Sequence, residues 1–186
     1  MSIELNDAAL GTTVAGAPAP RGTVLGADAF KGVFRRHPAG VAVITTVVDD
    51  QPVGFTATSV ISVSADPPLL AFSVDSASSA WRALASAETL VVNFLSAAQV
   101  EVSARFATSG IDRFATTDWF TLPTGEPVLV GSAAWVRGEV LQRTPVGRSF
   151  LVSVLALESD VPADVSSRPL VYHDRSYHGI GDHSVL

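Results

Sequence analysis

The chain contains no cysteine, which excludes disulfide bonds, thiolate metal sites and cysteine nucleophiles. Any redox chemistry therefore needs a bound cofactor. Charge is scarce: Asp, Glu, Lys and Arg make up 16% of the 186 residues, with a net charge of −6. Lysine occurs once, at Lys31, and the arginines are scattered. Without a basic cluster, nucleic acid is not an expected partner. No apolar run approaches the length of a membrane span, and the opening MSIELNDAALGTTVAGAPAPRG lacks the positive start and long apolar core of a secretory signal. A cytoplasmic protein is expected. No Gly-x-Gly-x-x-Gly follows a strand and opens a helix, because Gly179-Ile180-Gly181 lies at the extreme C-terminus. There is also no phosphate-binding P-loop, no Gly-x-Ser-x-Gly elbow and no His-Glu-x-x-His, so Rossmann and common hydrolase readings lack support.

Apolar residues, by contrast, are plentiful. A hydrophobic content of 47% is ample for one buried core. A mean hydropathy of +0.35 leaves apolar surface over, which suggests a subunit interface and a homodimer. Residues 1–26 read as a flexible leader rich in Gly, Ala, Pro and Thr, and 27–186 as a single domain. Phe30, Val33 and Phe34 stand at helical spacing before Pro38, predicting a helix over 27–37. Strands are expected over 41–48 and 53–57, joined by an exposed polar turn, then over 60–64, 69–74 and 90–95. Ser79 is placed to cap a short helix containing Trp81 and Leu84, and Ser96 with Gln99 has the spacing of a capping box that opens a helix to Phe106. Further strands are expected over 132–142, 149–158 and 169–173, with a surface tail from Tyr177. Many strands and few helices argue for a mainly β protein, specifically a barrel.

The stretch GFTATSVISVSADPPLLAFSV carries the most information. Thr56, Ala57, Thr58 and Ser59 have little bulk, so a flat ligand could approach the main chain while hydroxyl and N–H groups bond its edge. Val60, Ile61 and Val63 are expected to pack behind this wall, which puts Ser62 and Ser64 together on the opposite face. Asp66-Pro67-Pro68 reads as a turn.

The order Gly54, Thr56, Ser59, Ser62, Ser64, Pro67, Pro68 resembles the flavin reductase-like family. The resemblance continues through Val92-Asn93-Phe94-Leu95-Ser96, Ala104-Arg105-Phe106-Ala107, Asp112-Arg113-Phe114, Ala134-Trp135 and Arg168-Pro169-Leu170-Val171-Tyr172, so it covers roughly 28–180. It implies an FMN-binding split barrel with a few peripheral helices. It also implies a bound FMN or FAD reduced by NADH or NADPH, with hydride passing from nicotinamide C4 to flavin N5, and in many members a separate monooxygenase that uses the reduced flavin.

On this reading residues 56–59 meet the flavin ring. Ser62 and Ser64 are candidate ribityl or phosphate ligands, although alternation on a half-exposed strand accounts for them equally. A phosphate dianion suits arginine's fork. Arg105 is the first choice, with Ser103, Asn93, Ser96 and the adjacent Phe106 around it, but a solvated arginine at a helix C-terminus is the competing account. Ser79, with Ser78 and Arg82, forms a second polar group that also serves as a helix cap. Trp81, Trp119 and Trp135 read as core. His173, His178 and His183 recur every five residues, a step that suits neither one helix face nor one strand face, which argues against metal. His173 and Tyr177 are candidates for the nicotinamide side instead. Many relatives carry Gly-Asp-His where this chain has Val146-Gly147-Arg148-Ser149, so Arg148 and Ser149 stand in place of Asp and His. Arg148 could bind a nicotinamide pyrophosphate or 2′-phosphate. The same departure keeps two alternatives open: a flavin enzyme for another organic substrate, and a non-enzymatic flavin-binding protein.

Overall fold

The computed structural model describes residues 21–162 and 168–186. The expected leader over 1–26 lies outside the described residues up to residue 20, and 21–26 are exposed and irregular. In chain order come α1 (Ala27–Phe34), β1 (Ala39–Gly40), β2 (Ala42–Val48), β3 (Gln51–Ala57), β4 (Ile61–Ala65), β5 (Pro68–Asp75), α2 (Ser79–Leu84) and β6 (Thr89–Phe94). A single 3-10 turn, Ala97–Gln99, leads into α3 (Val100–Ala107), followed by β7 (Trp119–Thr121), β8 (Pro127–Leu129), β9 (Ala134–Val146), β10 (Ser149–Asp160), β11 (Leu170–His173) and β12 (Ser176–Gly179). Seven strands form one antiparallel sheet in the order β3-β2-β6-β9-β10-β5-β4. The mainly β expectation holds. The sheet curls until Ser59, just after β3, meets β5: its Oγ donates to the Ser73 carbonyl (3.1 Å) and accepts from the Ser73 N–H (3.0 Å).

Strands β2 and β6 are covered on both faces, and their period of two sorts their residues between separate clusters. Ala42, Ile44, Leu90 and Val92 enter the barrel interior with Phe72, Val152, Val154 and Leu84. Val41 and Val43 face the other way, against Leu95, Phe106, Phe114 and Leu170. Val91 packs with Leu122, Val128 and Trp135. Each such Val, Leu, Ile or Phe side chain contributes about 1.5–3 kcal/mol by leaving water. The β2–β3 hairpin turns through Asp49 and Asp50 at φ +51° and +59°, a left-handed pair that Asp tolerates and that matches strand twist. Gly54 on β3 is required by packing. A Cβ there would stand 2.7 Å from Phe106 Cε1 and 3.0 Å from the Ile44 carbonyl oxygen.

Three local expectations are corrected. Ile61 and Val63 do not enter the core; they are 57% and 56% exposed. They lie on an edge strand paired only with β5, and the register slips between Ser62 and Ser64. The cap of α2 is Ser78, whose hydroxyl accepts from the Trp81 N–H (3.2 Å), and Ser79 is the first helical residue. The tail from Tyr177 is not loose surface chain, because β12 pairs with β11. Strand β9 also runs on through Pro145, beyond the last pairing with β6 at Glu139, where a proline costs the sheet no bond on that side. Among the described residues no helix is long and apolar enough to cross a membrane.

One buried ion pair joins the β7–β8 loop to the main sheet: Arg137 Nε meets Glu126 Oε1 at 2.9 Å. Burial raises the Glu126 pKa, but hydrogen bonds from Thr124 and Thr89 and the charge of Arg137 outweigh it, so the carboxyl sits below its ordinary 4.5. A depressed folded pKa means that this stabilisation is complete above the ordinary value and disappears as pH falls through the lowered one. Glu126→Gln is expected to cost about 3 kcal/mol at neutral pH and to make the acid limb of stability shallower. Denaturant titrations of both proteins from neutral to acid pH measure this, and equal neutral-pH stabilities would refute it.

Candidate functional site

Two grooves meet at residues 56–59. The first, a cavity of about 340 Å³, is walled by Thr56, Asp75, Ser78, Ser79, Phe106 and Arg113. The second, of about 760 Å³, runs past Thr58 and Ser59 between α1 and the β11–β12 turn. Ser73 lines both. A third cavity, about 370 Å³ between Thr46, Asp49, Glu88 and Glu126, shares no residue with these and has carboxylate walls.

The wall of the first groove is fixed from behind. Thr56 Oγ1 donates to the Ser103 carbonyl on α3 (2.7 Å), and the fully buried Ser103 hydroxyl bonds the Tyr177 hydroxyl (3.0 Å). Phe106 lies beneath Gly54 and meets Phe114 edge-on at 5.0 Å between ring centroids. The Ala57 side chain belongs to the core, which leaves only its main chain to face a ligand. Thr58 is exposed, and Ser59 holds its place through Ser73.

Other sequence candidates are not brought to the grooves. Ser62 and Ser64 line a separate apolar groove with Leu69, Phe94 and Val136. Asn93 is fully buried, donating to the Val43 carbonyl and Thr45 Oγ1 while its Oδ1 accepts from the Leu129 N–H. All that chemistry ties β2 and β6 to β8. Buried Ser96 receives the Gln99 side chain at its N–H (3.0 Å), half of the expected capping box, and bridges to Pro169. Arg105 is half-buried in the last turn of α3 and lines neither groove. Arg148 sits exposed in the β9–β10 turn, where its carbonyl accepts from the Ser76 N–H (3.0 Å), and Ser149 pairs with Asp75. Both therefore touch the loop that borders the first groove. His173 lies on β11 with its ring 5.9 Å from that of His178, beside Tyr172 and Asp174, which do line the second groove. Trp81 stacks on Phe150 at 3.6 Å and Trp119 meets Phe114 edge-on, both as packing.

The residue that sequence reasoning passed over is Arg113. It stands in the Asp112-Arg113-Phe114 motif, where the Asp112 carboxylate accepts from the Phe114 and Ala115 N–H groups and shapes the turn. Arg113 Nε donates to the Thr108 carbonyl (2.9 Å) and Nη1 to the Gly54 carbonyl (2.7 Å). Burial pushes its pKa down, yet a guanidinium remains charged at neutral pH. Three of its five N–H bonds are left for a ligand. The available signal was an arginine beside a turn-forming Asp, a fixed cation within a named motif.

The donor set suits a flavin. Arg113, Ser78 and Ser79 offer a guanidinium and two hydroxyls to a phosphate, and the one carboxylate nearby, Asp75, is engaged by the Ala77 N–H (2.8 Å). The small residues 56–59 leave main-chain and hydroxyl groups for the heteroatom edge of a ring.

Residues 34–181 match the model of the flavin reductase like domain. An NADH:FMN oxidoreductase from Rhodococcus qingshengii is 43% identical over 152 residues, covering 80% of this chain and 79% of that protein. The flavin-dependent monooxygenase reductase subunit HsaB of Mycobacterium tuberculosis is 38% identical over 152 residues and 81% of each chain. Among solved structures, nitrilotriacetate monooxygenase component B from Mycobacterium thermoresistibile superposes with a TM-score of 0.81 at 32% identity, over 86% of this chain and 89% of its own. A family match over most of the length, joined to relatives above 30% identity across four fifths of it, shows that the chain belongs to the flavin reductase-like family.

Proposed function

We propose that the protein is an NAD(P)H:flavin oxidoreductase that reduces FMN or FAD and supplies the reduced flavin to a separate monooxygenase. The observation that carries this reading is the groove in which Thr56, Ser78 and Ser79 stand together with a phosphate-competent Arg113. A bound flavin supplies the hydride acceptor, and the nicotinamide supplies the hydride. The chain contributes binding and orientation. Arg113 with Ser78 and Ser79 holds the phosphate, while the main chain of residues 56–59 bonds the ring edge. Thr56 is kept in place by its hydrogen bond to the Ser103 carbonyl, and the Ser103 hydroxyl bonds Tyr177 in turn. Hydride transfer needs no side-chain base, so Arg148 and Ser149 in place of Asp and His remove no required proton carrier.

The protein acts as a homodimer in the cytoplasm on this reading. Ile61 and Val63 on β4, with Leu151 and Leu157 on β10, leave large apolar side chains in water, and a second copy of the chain would cover them.

Three outcomes follow. Anaerobic mixing of the flavin-loaded protein with NADH or NADPH is expected to bleach the oxidised-flavin band near 450 nm; binding of flavin without bleaching would remove the reductase reading. Arg113→Ala should weaken flavin binding about tenfold to a hundredfold, the worth of charge-assisted hydrogen bonds, as read by quenching of flavin fluorescence. An unchanged dissociation constant would take Arg113 out of the phosphate site. Sedimentation velocity should give a dimer for the native chain and a monomer for the double substitution Ile61→Asp, Val63→Asp; a monomeric native protein contradicts the assembly.

A further inference from the structure

Strand β9 departs from regular pairing at one residue. Against β10 the register joins Ser153 to Gln142 but Val154 to Val140, which leaves Leu141 as an extra residue, a β-bulge. Residues directly opposite in a sheet share a face, and Val152, the partner of Arg143, points into the barrel core. The bulge therefore turns Arg143 inward, whereas unbroken alternation from Val140 would point it away from the core. There, half-buried, its Nε donates to the Leu84 carbonyl (2.6 Å) and its Nη2 to the Ala87 carbonyl. Leu84 is the last residue of α2. The end carbonyls of a helix lack partners within it and carry partial negative charge, so a cation suits them.

The same hairpin holds α2 at two further points. Trp81 stacks on Phe150 of β10, with 3.6 Å between ring centroids and 7° between planes. Just ahead of the helix, the Ser76 N–H donates to the Arg148 carbonyl (3.0 Å). Ala80, Ala83 and Leu84 bury one face of α2, but apolar burial is non-directional, so these directed contacts set the angle of a helix only six residues long. At its start stand Ser78 and Ser79, which wall the flavin groove beside Arg113. Arg143 itself lines no part of that groove. We propose that Arg143 is a positioning residue for the flavin phosphate: by tying the far end of α2 to β9, it fixes where the Ser78 and Ser79 hydroxyls meet the phosphate oxygens. This rests on the phosphate site of the oxidoreductase reading. It places control over the preference for phosphate-bearing flavins at the opposite end of the helix from the phosphate.

The test compares the native protein with Arg143→Ala and Arg143→Lys, reading dissociation constants for FMN and riboflavin by flavin fluorescence and folding by urea denaturation. The two ligands share the ring and differ in the phosphate, so the ratio of their constants isolates the phosphate wall. Arg143→Ala should raise the FMN constant about tenfold, the order expected for hydrogen bonds to a charged group, and leave riboflavin within about twofold. Arg143→Lys, a point charge that cannot span both carbonyls, should fall between the native protein and Arg143→Ala. A folded Arg143→Ala protein with an unchanged FMN constant overturns the role. Equal weakening of both flavins also overturns it, because that marks a general loosening of the fold. Should Arg143→Ala not fold, the lysine variant decides: its preference for FMN over riboflavin should shrink, and an unchanged preference overturns the role. A native protein that binds FMN and riboflavin equally has no phosphate site here, and the inference falls with that site. A native protein that prefers FMN but bleaches no flavin with NADH or NADPH loses the oxidoreductase reading alone, since both constants are read without turnover.

Discussion

Where Phe106 rests on Gly54, helix α3 lies directly on strand β3, and nearly everything about the flavin groove depends on that contact. A methyl group at residue 54 would collide with the ring and with the main chain of β2. Close approach brings the Ser103 carbonyl within reach of Thr56, and the loop after α3 within reach of the Gly54 carbonyl, where Arg113 binds. One missing side chain thus allows a helix, a strand and a cation to share a groove. The ring of Phe106 also belongs to the cluster of Val41, Val43, Leu95 and Leu170, so the packing that stabilises this half of the fold is the packing that shapes the site.

Electrostatics divide the two grooves further. The flavin groove offers one half-buried guanidinium tethered to two carbonyls, a donor set already organised before any ligand arrives. The second groove instead sets Lys31, Arg35 and Arg175 against the single carboxylate of Asp174. On a chain of net charge −6, that rim is a local reversal of sign.

Much of this was legible in the sequence. Apolar periodicity located most of the strands, and the ordered run from Gly54 to Pro68 resembled a known family closely enough to imply fold and cofactor. Facing was less legible. Alternation put Ile61 and Val63 inside, but alternation says only that two sets of side chains point apart; which set meets the core depends on the sheet edge and on the register slip at Ser62 and Ser64. Asn93 and Ser96 stood in matching motifs and looked like ligands, whereas Asn93 is consumed by hydrogen bonds to chain distant in sequence and Ser96 is buried against Gln99 beside its bridge to Pro169. Arg113 was hidden for the opposite reason. Its value comes from the Gly54 carbonyl, 59 residues away, a partner no local window contains. Tyr177 likewise joined the interior only through the pairing of β12 with β11.

The latch between Ser59 and Ser73 has one more implication. A wall a single strand thick, closed by two hydrogen bonds, gives the molecule two separate doorways that open onto one meeting point. On the proposed reading, a ligand in one groove leaves the mouth of the other open. An enzyme whose product must be handed intact to another protein benefits from that independence.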